Sequence, residues 1–413
     1  MSTKHDTPNL HLSPICRLGR ALLPGLLALA LSAQADEAAV EARLKALETQ
    51  VQSLQSENQQ LRRELGLGGA ASLTAVKPAG KEPVLTLNGL VQVQGEFGDK
   101  GDARFGSAND RFFLRRARLG AAGRFLEEFD FKLEGEFANS LAGSTTAASA
   151  ALTDGYINWS HFTWANVRAG QFKTPFGYEF LAADPKLLTP ERSLGTDRLT
   201  LNRQVGVQVA GDFFDKQLGY AVGAFNGNGA NLSANDNDNF NTVGRVSGVP
   251  WQGRLLGQSG RLTVGVDGYA SHDTALTMAS DFGLAGNAFT GNRAGLGVDA
   301  QANLGRFDLW AEYLRVRFRP TSRVPASDFF SDAWDVQGSY FLLPASLQAV
   351  VRYETFDPSN VKSNNETATW TFGANLYFKG DDLKLQLDYL RTALPGNTTP
   401  GQEKLILRAQ TIF

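Results

Sequence analysis

Arg116 and Arg118 stand in the run Arg115-Arg116-Ala117-Arg118-Leu119-Gly120. On an extended chain, side chains two residues apart share a face. Two guanidinium forks in line can hand an oxyanion along through charge-assisted hydrogen bonds. The same placement equally suits pairing with carboxylates across the strand, at Asp130 or Glu134, which would brace a wall instead. Other basic residues recur on strand faces of the same kind: Lys132, Arg352, Lys379, Lys384 and Arg408. They alternate with Glu96, Asp130, Glu134, Glu136, Asp154, Asp335, Glu354 and Asp388. A second group, Lys173, Lys186, Arg192 and Arg198, lies in or beside residues 174–201, facing Glu179, Asp184, Glu191 and Asp197. Such a constellation works by electrostatics, since rings of charge set the preference of a pore for ions.

Covalent chemistry has little support. His5, His11, His161 and His272 are scattered, and Cys16 is the one cysteine. No Ser/His/Asp or metal-ligand grouping emerges, and no cofactor is expected. Gly295-x-Gly297-x-x-Ala300 imitates a dinucleotide fingerprint but lies inside a period-two strand. Asn235 to Asn239 resembles the start of a calcium loop, yet the twelfth position from Asp236 is Ser247 where that loop needs Glu.

The elements that carry these charges read as strands. At the end of the chain, Leu405, Leu407, Ala409, Thr411 and Phe413 share one face, and Lys404, Ile406, Arg408, Gln410 and Ile412 the other. A terminal aromatic suits the girdle at a membrane boundary. Comparable alternation predicts strands at 84–97, 111–124, 128–138, 151–160, 165–173, 202–212, 216–226, 239–249, 261–271, 293–304, 306–318, 332–342, 345–356, 366–379, 382–391 and 402–413. Tight turns such as Leu304-Gly305-Arg306 and Gly380-Asp381 alternate with longer polar loops, as a transmembrane barrel requires. Residues 250–260 fit least well, because their turn looks too long. The loop 174–201 has no strand pattern and is expected to fold inward as a constriction.

Bulk properties agree. The chain has 413 residues, 43 of them Gly, with 10% aromatics and 40 Lys+Arg against 42 Asp+Glu. The near-neutral balance gives no nucleic-acid signal. A mean hydropathy of −0.22 excludes a helical membrane protein but suits a barrel, in which alternate residues face water. Arg17 and Arg20 before the apolar run 21–31, with Ala33 and Ala35, predict a signal peptide over 1–35. Over 36–66, Leu44, Val51, Asn58 and Leu65 take a positions, and Val40, Leu47, Leu54 and Leu61 take d positions. This heptad predicts a parallel coiled coil, expected in the periplasm. Residues 67–83 read as a linker and 84–413 as the barrel.

The residues 115–120, Phe129-Asp130-Phe131-Lys132, Thr153-Asp154-Gly155-Tyr156-Ile157, 170–177 and Gln204-Val205-Gly206-Val207 resemble the phosphate-selective porin O and P family. The resemblance implies an all-β fold: a 16-stranded antiparallel transmembrane β-barrel, here preceded by the short coiled-coil helix. It implies a homotrimer in the lipid bilayer of a Gram-negative outer membrane, passing small hydrophilic or anionic solutes, phosphate or polyphosphate among them. A structural anchor working through the coiled coil, or a barrel enzyme, are the alternatives from other classes.

Overall fold

The computed structural model describes residues 75–76, 84–105, 109–138, 150–227, 229–232, 234–321, 327–396 and 401–413. The signal segment, the coiled coil and the linker, apart from Ala75 and Val76, lie outside these residues. Ala75 and Val76 form a two-residue strand paired with Thr86 and Leu85.

Sixteen long antiparallel strands follow. They are β1 (Val84–Gly98), β2 (Arg111–Phe125), β3 (Phe129–Glu136), β4 (Ala151–Phe162), β5 (Ala165–Lys173), β6 (Arg203–Phe213), β7 (Leu218–Phe225) and β8 (Asn241–Leu255). The second half comprises β9 (Gln258–Thr277), β10 (Ala288–Leu304), β11 (Phe307–Pro320), β12 (Phe329–Leu343), β13 (Leu347–Asp357), β14 (Thr367–Tyr377), β15 (Leu383–Ala393) and β16 (Gln402–Ile412). Each pairs with the next, and β16 returns to β1 with Leu405 opposite Phe97 and Ile412 opposite Leu90. The sheet therefore closes and leaves no edge. The last ring of the chain fixes this seam. Phe413 lies over Gly89, where a Cβ would sit 2.3 Å from the ring, and the two residues exchange backbone hydrogen bonds of 2.8 and 3.2 Å.

The barrel is inside-out relative to a soluble sheet. On β15, Lys384, Gln386 and Asp388 are at most 2% exposed, against 38–47% for Leu383, Leu385 and Leu387. Polar side chains face the interior and aliphatic ones face outward, which suits lipid. Short turns mark one rim. The strand ends joined by the longer connections, such as Gly98 and Arg111 or Lys173 and Arg203, mark the other rim, the extracellular one in a barrel of this kind.

The region 250–260 resolves into a hairpin. Leu256 (φ 52°) and Gly257 (φ 77°) make a two-residue turn, with both residues in the left-handed region that strand twist favours. Leucine is an unusual occupant there, and a register shift between Leu262 and Val264 breaks the alternation beside it. Strands β8 and β9 thus run longer than their patterning predicts.

Candidate functional site

The loop 174–202, here L3, is built to leave the wall. After β5, Pro175 stops the ladder. The chain then forms α1 (Tyr178–Leu181), a 3-10 turn at Asp184–Lys186 with proline near its start, and α2 (Leu194–Leu199). Ser193 caps α2, its Oγ accepting from the Thr196 amide at 3.2 Å. Gly195 lets α2 settle on β12, because a Cβ there would meet the Ala333 Cβ at 2.2 Å.

An irregular loop indoors must satisfy its own backbone. The far wall supplies the donors. Lys384 Nζ donates to the carbonyls of Pro185 (2.6 Å) and Leu187 (3.1 Å). Gln386 donates to Leu187 and Leu188, and Asn375 to Leu188 at 2.8 Å. Arg352 Nη1 reaches Thr189 Oγ1 at 2.8 Å and the Glu191 carbonyl at 2.9 Å. Arg408 donates to the Pro190 carbonyl.

Two carboxylates of L3 gather the arginines. Asp184 pairs with Arg116 (3.2 Å), Arg118 (2.5 Å) and Arg192 (2.6 Å). Glu191 pairs with Arg115 (2.7 Å) and Arg408 (2.6 Å). Burial alone would raise both carboxyls. The surrounding guanidinium groups outweigh it and hold both well below the usual carboxylate range. Arg104 of the first long loop joins from above, pairing with Asp102 and Glu354 at 2.5 Å each.

The other end of L3 rests on acids and aromatics. Glu312 accepts from the amides of Tyr178 and Glu179 and from Thr196 Oγ1 at 3.3 Å. Oxygens of Glu179, Glu312 and Asp335 lie within 4.8 Å of one another, the donor type that hard cations take. Glu179 and Glu312 are already engaged with L3 amides and, for Glu179, with Arg352 at 3.3 Å. Around them Phe172, Phe176, Leu194, Leu199, Tyr269, Phe282, Phe289, Phe318 and Phe329 form one buried cluster inside the barrel.

Between the L3 segment 181–185 and the wall of β1–β6 lies a cavity of about 350 Å³. Arg118, Lys132, Lys173 and Arg203 line it with Glu134, Asp154 and Asp184. Lys132 bridges Asp154 (2.8 Å) and Glu134 (3.1 Å), and Arg203 holds Asp154 at 2.9 Å. Lys173 Nζ instead donates to the carbonyls of Phe180 (2.6 Å) and Ala182 (2.8 Å). Among the described residues, its charge therefore has no carboxylate partner in salt-bridge contact.

Arg116, Arg118, Lys132, Arg352, Lys384 and Arg408 all point inward. Lys379 does not: it sits in the turn after β14, its side chain 78% exposed and 3.2 Å from Asp382. On L3, Arg192 is drawn into the Asp184 network. Arg198 turns to Asp281 at 2.6 Å, and Lys186 is exposed. Asp130, a cross-strand candidate for the arginines, instead accepts from Asn158 at 3.0 Å. Arg115 escapes simple alternation. A bulge opposite Gln92 and Val93 skips it in the register, so it reaches Glu191 from inside beside Arg116. Arg104 and Arg203, at a loop and a strand start, gave no periodic signal at all.

Solved structures of similar fold are outer-membrane proteins. The outer membrane channel DcaP of Acinetobacter baumannii is 17% identical, with 83% of this chain and 100% of that one covered at a TM-score of 0.54. An anion-selective porin from Comamonas acidovorans is 14% identical over 80% and 100%, at 0.55. A trimer form of OmpT from Vibrio cholerae is 10% identical over 81% and 100%, at 0.52. No curated relative matches. The family profile described as "Phosphate-selective porin O and P" matches residues 89–413. The chain belongs to that family, and is a porin-type channel protein of the bacterial outer membrane.

Proposed function

We propose that the channel passes small ions and hydrophilic solutes by passive diffusion, with a weak preference for anions and without a dedicated phosphate ladder. The observation that carries this reading is the lining of the cavity beside L3. Four cations meet three carboxylates there, and most of the cations are already spent on ion pairs. Lys173 is the cation of this lining with no carboxylate in salt-bridge contact among the described residues, and it is held by the L3 carbonyls of Phe180 and Ala182, so the excess of positive charge left to a solute is small. Arg116, Arg118, Arg352, Lys384 and Arg408 anchor L3 in this reading; they do not conduct. A homotrimer, carried over from the trimer form among the similar structures, and a periplasmic coiled coil over 36–66 complete the proposal.

The test is the reversal potential of the purified protein in a planar bilayer under a salt gradient, repeated with added phosphate. A small anion-directed potential without phosphate block is expected, together with conductance closing in three equal steps. A strong anion potential with saturating phosphate block would overturn the weak-selectivity reading. A cation-directed potential would overturn the anion preference.

A further inference from the structure

Charge also appears on the outer wall of the barrel. On β11, Leu314, Val316 and Phe318 are buried inward, so Arg315, Arg317 and Arg319 face out. They occupy alternate positions in the last residues of the strand before its extracellular end at Pro320. Lipid-facing charge is costly at the bilayer midplane and nearly free at its interfaces, so the row sits at headgroup depth.

Beside the row lies an outward trough of about 440 Å³. Ala270 and Ala294, neighbours in register, give it a shallow floor. Arg317 pairs in register with Ala294, and Arg319 with Asn292. His272 hydrogen-bonds Asn292 at 2.8 Å on the same side, and Phe240 forms the rim. Below the trough, the outward residues Val266, Leu296 and Val298 make an apolar strip running toward the midplane.

The three arginines outnumber the two carboxylates they pair with, and Arg315 and Arg317 also lie over the Phe330 ring. Among the described residues, Arg317 and Arg319 share Asp328, at 2.7 and 3.5 Å, and Arg315 takes Asp332 at 2.6 Å. Exposed pairs of this kind are weak and readily exchanged. Arg317 Nε is buried without a hydrogen-bond partner. Two guanidinium forks above an apolar strip match one chemistry: a phosphate group attached to acyl chains.

We propose that this trough holds the phosphorylated headgroup of an outer-leaflet lipid, with Arg317 and Arg319 on the phosphate and an acyl chain along Leu296 and Val298.

The test is native mass spectrometry of the full-length protein titrated with bisphosphorylated lipid A or with its dephosphorylated form. Each arginine near a charged lipid surface is worth roughly five-fold in affinity, so Arg317→Gln with Arg319→Gln should weaken binding about twenty-five-fold. Arg317→Lys with Arg319→Lys should recover most of that. Both pairs should keep heat-modifiable electrophoretic mobility, which reports a folded barrel, and unchanged conductance. Equal binding by parent and Gln variant, or equal binding of the dephosphorylated lipid, would overturn the site. So would displacement of the lipid by inorganic phosphate at matched concentration, which would assign the arginines to the free ion. A fall in oligomer mass with lipid binding intact would overturn it as well, by assigning the row to a contact between copies.

Discussion

The interior has two sides that hold the same loop with different balances of charge and packing. Toward β14–β16, β1 and β2, the middle of L3 is tied by charge and by donors to its carbonyls: Asp184 and Glu191 against five arginines, Lys384 and Gln386 against the backbone. Toward β9–β13, the start of L3 and α2 are chiefly packed, with Phe176 edge-on to Tyr269 at 4.8 Å and Phe318 stacked on Phe329 at 4.6 Å, and Glu312 and Arg352 add the polar contacts there. The packed side excludes water and positions. The charged side meets the cavity, so what anchors the loop there also sets which ions are welcome. A cation spent on an anchor is unavailable to a solute, and the basic residues of this lumen therefore predict less anion selectivity than their number suggests.

Removing the anchoring acids is the strongest way to test that division. Asp184→Asn with Glu191→Gln takes one carboxylate partner from each of Arg115, Arg116, Arg118, Arg192 and Arg408, while Arg118 keeps Glu136 at 2.8 Å. Breaking a buried pair from one side costs about 3–5 kcal/mol. L3 should loosen, single-channel conductance should rise, and the reversal potential should move toward anions. An unchanged potential would mean that these arginines are remote from the ion path, and the two sides would no longer differ in function.

The packed side should respond differently. Phe176 is fully buried, and Phe176→Ala should cost about 3–5 kcal/mol of local stability. Limited proteolysis of the folded barrel should then cut within 174–202 at lower protease concentration. The sign of the reversal potential should stay as in the parent. A change of sign would show that packing, and not charge, tunes selectivity.

The two sides also differ in how legible they were. On β14–β16 inward polar and outward apolar residues alternate with few exceptions, among them the buried Leu390 and Ile406, and the strand bounds follow from the sequence to within about two residues. On β9 and β10 the inward face turns apolar near the extracellular end, at Tyr269 and Phe289, and a register shift between Asp273 and Leu276 intervenes. Alternation fades there, and the patterning stops at 271 and resumes at 293 where the strands run on to Thr277 and start at Ala288. The site was legible only in part. Arg116, Arg118 and Arg408 lie on the interior face their spacing gives them. Their partners, Asp184 and Glu191, belong to a loop whose path no period encodes, and Arg115 depends on one extra residue at a bulge.

The smallest expected effect concerns pH. A carboxyl whose folded pKa is depressed stabilises the fold fully above its unfolded value, about 4 for Asp and Glu, and loses that contribution only as pH falls through the lowered folded value. Asp184 and Glu191 are both of this kind, held down by the guanidinium groups despite burial. Their partners Arg115, Arg116, Arg118, Arg192 and Arg408 stay charged throughout that range. The charged tether of L3 should therefore keep its grip from neutral pH to about pH 4 and loosen only below it. Lys186 is exposed in that tether and pairs with none of these groups among the described residues, so a spin label at Lys186→Cys reports the tether locally. Its spectrum should hold constant from pH 7 to about pH 4 and narrow only at lower pH. Narrowing near pH 6 would mean that the tether is governed by another group, and that the arginine cage around Asp184 and Glu191 contributes little to holding the loop.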